Sequence, residues 1–320
     1  MTVLYHPERD SYLIKPNACA DSTSCVPVNA YDLPAYTPVS VGFTRSTTLP
    51  DMDFETYSEA GYYWDQTANK GLGRWKSVTN GQGGIFAVGA PVYSEHPSAE
   101  VLSLAYDLKD GKGSRLWLPG MPPPQDLFDH IANGGLMEAH NSGFEWLIWT
   151  NVCMRKMGWP PLPLKQLRCS ASKCRAFSLP GALGKAAMVL GLAEQKDTDG
   201  KRLIRKFCIP RSPTKGDPRL RIDPMGDPVD GGKLYRYNIQ DIKSESDLSA
   251  HVPDLRPEEL ELWLVDQRIN MRGCYIDMQA VDDSIAVFEQ ATGKLNHELR
   301  QVTGGAVSEA SKVQDLTTWL

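Results

Sequence analysis

The stretch Asp51–Glu59, DMDFETYSE, follows the apolar-leaning run VGFTRSTTLP and places two acids, Asp53 and Glu55, in what reads as a buried strand. Side chains alternate faces along a strand, so two carboxylates one residue apart point the same way. Like charges held that close repel, and each raises the pKa of the other unless a cation lies between them. The segment is therefore either an exposed edge carrying an idle pair or one half of a metal site.

Working outward, VGFTRSTTLPDMDFET reads as strand, turn and strand, preceded by a segment rich in Pro, Ser, Thr and Asn. Tyr62–Gly84 is glycine-rich, dotted with aromatics and bases, and has no clear periodicity, which predicts an inserted loop. Val101–Leu108 is β-competent, and the turn DGKG leads into SRLWLPG as a hairpin. PPPQDLFDHIANGG predicts a short helix opened by proline and closed by glycine, and LMEAH (136–140) a further strand. Helices are expected over Gly143–Met157, over Ser178–Leu192 with Ser178 as cap and Gly191 near the end, over a polar-faced Tyr235–Val252, and over Arg256–Gly273 and Met278–Val302. The order is strands, then alternating helices and strands, then helices alone. It predicts an α/β fold, a mixed β-sheet flanked by helices and followed by a C-terminal helical segment. The expected domains are an N-terminal extension (1–45), a central domain (46–255) and a helical end (256–320).

The 320 residues can bury a core of good size, and 23% charged with 41% apolar residues is ordinary for a globular protein. No run of about 18 apolar residues exists, and MTVLYHPERD lacks a signal-peptide core, so a cytoplasmic protein that neither spans a membrane nor is secreted is expected. Seven cysteines at irregular spacing do not form a disulfide framework, and Cys169 and Cys174 have no second pair or nearby histidine to complete a zinc site. A net charge of −5 argues against wholesale wrapping of nucleic acid, yet Lys201–Arg221 carries eight basic residues and one acid, Asp217. No phosphate-binding loop or dinucleotide fingerprint is present.

Acids occur in unusual company at two further places. Glu145 opens an apolar helix in HNSGFEWLIW, and Tyr237 and Asp241, four apart in YNIQD, share a helix face. Hydrolysis of a phosphodiester requires charge stabilisation on the attacking and leaving oxygens. Two divalent cations about 4 Å apart, held by three or four carboxylates, supply it. Mg²⁺ takes hard oxygen ligands, which suits carboxylates better than histidine or cysteine.

The set resembles the 3′→5′ proofreading exonuclease portion of phage-type family A DNA polymerases. A D-x-E motif matches Asp53 and Glu55, an N-x-x-F-[DE] motif matches Asn141, Phe144 and Glu145, and Y-x-x-x-D matches Tyr237 and Asp241. The connectors FSLPGALGKAAMVLGL, KRLIRKFCIP and ELWLVDQRINMRGCYID are similar as well, so the likeness covers roughly residues 48 to 320. It implies a ribonuclease-H-like fold, two Mg²⁺ or Mn²⁺ ions and a single-stranded DNA 3′ end as substrate. The acid of the second motif is glutamate where bacterial members usually carry aspartate. The final VQDLTTWL falls about where such a polymerase enters its thumb, with palm and fingers absent.

On that likeness the expected catalytic residues are Asp53, Glu55, Glu145, Tyr237 and Asp241, all but Tyr237 as metal ligands. Asp53 and Asp241 are expected to grip the ion that activates water, with Asp53 reaching the second ion. Glu55 holds the first, and Glu145 sits at or just outside the second. Tyr237 is expected to hydrogen-bond the attacking water; a phenol with a pKa near 10 is a poor base at neutral pH. Asn141 and Phe144 are expected at the terminal nucleotide, or alternatively as a helix-start residue and a packing residue. Lys201, Arg202, Arg205 and Lys206, with Arg211, Lys215, Arg219 and Arg221, are expected to meet phosphates or to form a solvated face. Trp64, Lys70, Arg74, Trp75 and Lys76 are expected to stack on single-stranded bases, to pack the insert down or to meet a partner protein, and His140 reads as a strand-end residue. The leading function is a metal-dependent 3′→5′ exonuclease releasing nucleoside 5′-monophosphates as the proofreading part of a polymerase. The alternative is a DNA- or partner-binding module of a split polymerase with little catalysis of its own, and RNA trimming is a broader variant.

Overall fold

The computed structural model describes residues 2–6, 11–15 and 37–38 by their backbone, and residues 48–79, 81–192 and 199–320 in full. The first strand expected within VGFTRSTTLPDMDFET falls on residues 41–47 and beyond, of which 41–47 lie outside the described residues. Near the N-terminus, β1 (Thr2–His6), β2 (Ser11–Lys15) and β3 (Thr37–Pro38) form a small sheet in the order β2-β1-β3.

The sheet that positions the site contains β4 (Asp51–Tyr57), β7 (Glu100–Asp107), β8 (Arg115–Trp117), β9 (Met137–Ala139) and β10 (Leu167–Cys169). Between β4 and β7 stand a two-stranded ribbon, β5 (Tyr62–Asp65) and β6 (Arg74–Ser77), and α1 (Ile85–Glu95). Strand order is β10-β9-β4-β7-β8: β7 runs antiparallel to both neighbours, while β9 is parallel to β4 and β10. The expected DGKG hairpin is the β7–β8 pair.

Helices cover both faces, as a mixed sheet with two apolar faces requires. On one side lie α2 (Gln125–Ala132) and α3 (Gly143–Ile148). The latter continues through a π-helical stretch (Trp149–Met154) into α4 (Arg155–Met157), which together make the expected helix over 143–157. Met52, Phe54 and Leu104 pack there against Trp149, whose ring meets Phe54 and Phe128 edge-on. On the other side are α5 (Ser170–Ala176), α6 (Leu183–Leu190), α7 (Gly200–Phe207) and α8 (Pro228–His251). There Tyr57 and Leu102 meet Leu203, Phe207 and Leu234. This is a ribonuclease-H-like mixed sheet flanked by helices. It is followed in sequence by α9 (Pro257–Arg272), α10 (Met278–Val302) and α11 (Val313–Trp319). The chain divides into two compact units, Met1–Arg268 and Ile269–Leu320. In the second, Asp277 caps α10 by accepting from the Ala280 amide at 3.1 Å.

Three expectations change. The insert is not an irregular loop: Tyr62 to Asp65 pair with Ser77 to Arg74 in register, Trp64 meets Trp75 edge-on at 5.5 Å, and Lys76 pairs with Asp65 at 2.6 Å. Four-residue strands are too short to display a period of two. The helix expected from Ser178 starts at Leu183. Ser178 has φ of +60°, and Pro180 disfavours helical geometry at Leu179; the end at Gly191 is as expected. The basic stretch after residue 200 opens with the helix α7, and α1 and α5 also escaped the apolar pattern.

Candidate metal centre and its cleft

Alternation on β4 sends Met52 and Phe54 into the core beneath and turns Asp53 and Glu55 toward α8. Asp53 lies opposite Ala105 and Glu55 opposite Ser103, and the register then slips at a bulge between Glu55 and Thr56.

The helix above is started by Asp227, whose side chain accepts from the Asp230 amide at 3.2 Å, with Pro228 in its first turn. Positions 237, 238 and 241 fall on the buried side. Asn238 Nδ2 donates to the Asp53 carbonyl at 3.1 Å and to Asp53 Oδ2 at 2.5 Å, while Asn238 Oδ1 accepts from Ser103 Oγ at 2.9 Å. One amide thus ties α8 to two strands and fixes the Asp53 carboxylate. Asn238 was not anticipated, although its i, i+3 relation to Asp241 was a signal.

Ligand oxygens of Asp53, Glu55 and Asp241 all lie within 4.8 Å of one another. The enclosure of Asp53 lifts its pKa well above the usual carboxylate range, and Asp241, Glu55 and Glu145 push it further, against the Asn238 hydrogen bond. Glu145, in the first turn of α3, lies outside that mutual grouping yet feels the same field. Burial pushes it up to about 8, against a backbone hydrogen bond and with a further push from Glu55. Its Oε2 is buried with no hydrogen-bond partner. Neither Asp53 nor Glu145 has an ion pair with any described lysine or arginine. Tyr237, 1% exposed, hydrogen-bonds Asp241. Burial first, then the charges of Asp241, Glu55 and Asp53, hold its phenol protonated far above neutrality. The Cys208 thiol donates to Glu55 Oε2 at 3.5 Å, a contact no spacing indicated.

Glu55 and Glu145 open onto a cleft of about 810 Å³. Asn141 and Phe144 line it. Asn141 is exposed with φ of +73°, a conformation that holds strain in a non-glycine residue, and its carbonyl accepts from the Phe144 amide at 2.9 Å. The Phe144 ring lies 5.9 Å from that of Tyr93, so it packs and lines the cleft at once. The basic residues of α7 divide by helix face. Lys201 and Arg205 line the cleft without an ion pair to any described residue. Arg202 instead pairs with Asp199 and Asp230, and Lys206 with Asp227 and Asp230. Further along, Arg211 and Arg219 both pair with Asp217, and Arg221 pairs with Glu100 and stacks 4.4 Å above the Tyr57 ring. Trp75 and Asn69 of the insert are held by Ser212 and Pro213.

Below this, α8 buries more polar groups. Ser170 Oγ donates to Glu245 at 2.9 Å and meets His140 Nδ1 at 2.9 Å, while His140 Nε2 lies 2.9 Å from the Gly181 carbonyl. His140 is thus a strut between β9, α5 and the turn before α6, and it also lines the cleft. Glu138 is matched by buried Lys173 at 3.1 Å and by Ser249, and Lys173 also pairs with Asp254 at 2.8 Å. Asp51 pairs with Lys109 at 3.0 Å. Four of the cysteines, Cys153, Cys169, Cys174 and Cys208, are buried free thiols. Among the described residues no helix is long and apolar enough to cross a membrane.

No family model matches the chain. Over 241 residues, 74% of its length, the chain is 33% identical to a DNA polymerase of Bacillus phage SP02. That homologous span is 36% of the polymerase, so the chain corresponds to about a third of its relative.

Proposed function

We propose that this chain is a metal-dependent 3′→5′ exonuclease that shortens DNA from its 3′ end, releases nucleoside 5′-monophosphates and edits for a polymerase. The observation that carries the reading is the convergence of Asp53, Glu55 and Asp241 within 4.8 Å, although 186 positions separate Glu55 from Asp241. The donor set fits Mg²⁺ or Mn²⁺: all three are hard carboxylate oxygens, and Glu145, whose buried Oε2 has no hydrogen-bond partner, feels the charge of Glu55. Asp53, Glu55 and Asp241 would hold the ions, with Glu145 at their edge. A pair of divalent ions there supplies the positive charge that stabilises the attacking and leaving oxygens of phosphodiester hydrolysis.

The chain's own residues divide the remaining work. Asn238 fixes the Asp53 carboxylate, so that ligand is oriented before an ion arrives. Tyr237 keeps its proton and orients Asp241 and a water beside it as a hydrogen-bond donor, not as a base. Lys201 and Arg205 receive phosphates, while Asn141 and Phe144 meet the terminal nucleotide. Homology to part of a phage DNA polymerase supports DNA as the polymer and editing as the setting.

The test incubates the purified chain with 5′-labelled single- and double-stranded DNA and Mg²⁺ or Mn²⁺, beside Asp53→Ala. A ladder shortening from the 3′ end, abolished in the variant and by chelation, is expected. Binding without cleavage, or equal cleavage by Asp53→Ala, contradicts the reading.

A further inference from the structure

We infer that the segment 81–89 is a base-stacking wall of the cleft, with Phe86 as the stacking ring for a single-stranded nucleic acid whose phosphates lie on Lys201 and Arg205. The inference rests on the reading of the cleft as a nucleic-acid site.

Phe86 is 83% exposed although it lines the cleft. The neighbours in its turn explain why it is held outward. Ile85 and Val88 pack against the main core and anchor the turn, leaving Phe86 on its opposite side. The helix stops being helical at Gly89, with φ of +78° and ψ of 163°, and Pro91 follows, so residues 85–88 form a separate turn joined to the rest by a break. The root is fixed as well. A Cβ on Gly83 would lie 2.2 Å from the Tyr62 ring, so glycine lets this strip lie flat on that tyrosine. Together they form an apolar wall of Tyr62, Ile85 and Phe86.

The same cleft is lined by residues of opposite character, Lys201 and Arg205, one helical turn apart on α7. The same helix has neutralised its other two bases with Asp227 and Asp230. Unpaired cations and an exposed aromatic ring lining one cleft match a strand that presents phosphates along one edge and bases along the other. An acidic peptide would use the cations and leave Phe86 unused. A duplex would bring phosphates to both walls.

The test measures binding of a dye-labelled oligothymidylate by fluorescence anisotropy in EDTA, which removes cleavage from the readout. Wild type, Phe86→Ala and Phe86→Trp are each compared on the oligonucleotide and on an abasic strand of the same length. Loss of one stacked base predicts about 5- to 150-fold weaker binding by Phe86→Ala, recovery in Phe86→Trp, and no difference among the three on the abasic strand. Unfolding midpoints should be unchanged, since the ring is exposed. Equal affinities on the oligonucleotide, or an equal loss on the abasic strand, overturn the inference. A wild type that binds with this pattern but never cleaves with Mg²⁺ or Mn²⁺ defeats the exonuclease reading and supports the stacking wall.

Discussion

Two groups of acids are gathered along the same helix, α8, and they are balanced in different ways. Toward its C-terminal end Glu138, 1% exposed, is matched by the almost fully buried Nζ of Lys173, with Ser249 and Asp254 completing the network. Asp51 has Lys109, although burial outweighs that lysine and the carboxyl stays up near 7. Half the helix away, the strongest influences on Asp53 after burial are three other carboxylates, and Glu145 keeps a buried oxygen without a partner. Each arrangement taken alone is a cluster of acids under a helix. The first group holds a lysine at Glu138 and at Asp51, although its Glu245 has Ser170 and feels Glu138 and Asp51, whereas Asp53 and Glu145 have no ion pair with a described lysine or arginine. The group whose acids lack a paired lysine is the candidate for a cation.

The difference can be broken from either side. Asp53→Asn should cause the largest change, a fall of about 1000-fold or more in hydrolysis rate, because it removes a ligand and the charge together. In the same variant the metal-free protein should melt higher, since like-charge repulsion has been relieved. Lys173→Met attacks the scaffold cluster. It leaves Glu138 without its buried cation, for a predicted loss of about 3–5 kcal/mol in urea unfolding. Asn238→Ala should cost less, about 1–3 kcal/mol, by leaving Ser103 and Asp53 short of a partner, and it should weaken divalent-ion affinity more than DNA affinity. Tyr237→Phe should lower the cleavage rate about 10- to 100-fold while single-strand binding holds, a split that a purely packing role would not give.

The pH dependence sharpens the contrast. Glu145 has its pKa raised from 4.5 to about 8, and Asp53 is also raised, so the folded metal-free protein keeps protons that the unfolded chain has released. That stabilisation is complete below about pH 4.5 and is lost as pH climbs through about 8. Divalent ions need the deprotonated acids, so the increment in melting temperature they give should grow over the same window. Melting curves from pH 5 to pH 8.5, with and without Mn²⁺, should therefore diverge as pH rises.

Four strands of the sheet were legible because they are apolar runs bounded by turn residues, as Glu100–Asp107 illustrates, whereas the three-residue β10 was not read as a strand. The helix that carries half the site was legible as a helix but read as polar-faced. In fact its Asn238, Asp241, Glu245 and Ser249 are buried or nearly so, against Asp53, Ser103, Ser170 and Glu138. A polar stripe can be buried when polar groups on the sheet answer it, and periodicity does not see the partner surface. The acids themselves were found from spacing and resemblance. The division of α7 into Lys201 and Arg205 on the cleft, and Arg202 and Lys206 on Asp230, depends on what lies across from each face. Only the fold supplies that. The stacking wall was hidden for the same reason, since Ile85, Phe86 and Val88 form one short apolar run until the core claims two of them.

Calorimetric titration of the chain with MnCl₂ near pH 7.5, beside Asp53→Asn, tests the uncompensated acids most directly. The account predicts saturable binding with proton release in the wild type, severely weakened in the variant. A wild type that takes up no ion, or a variant that binds as well as it does, contradicts it.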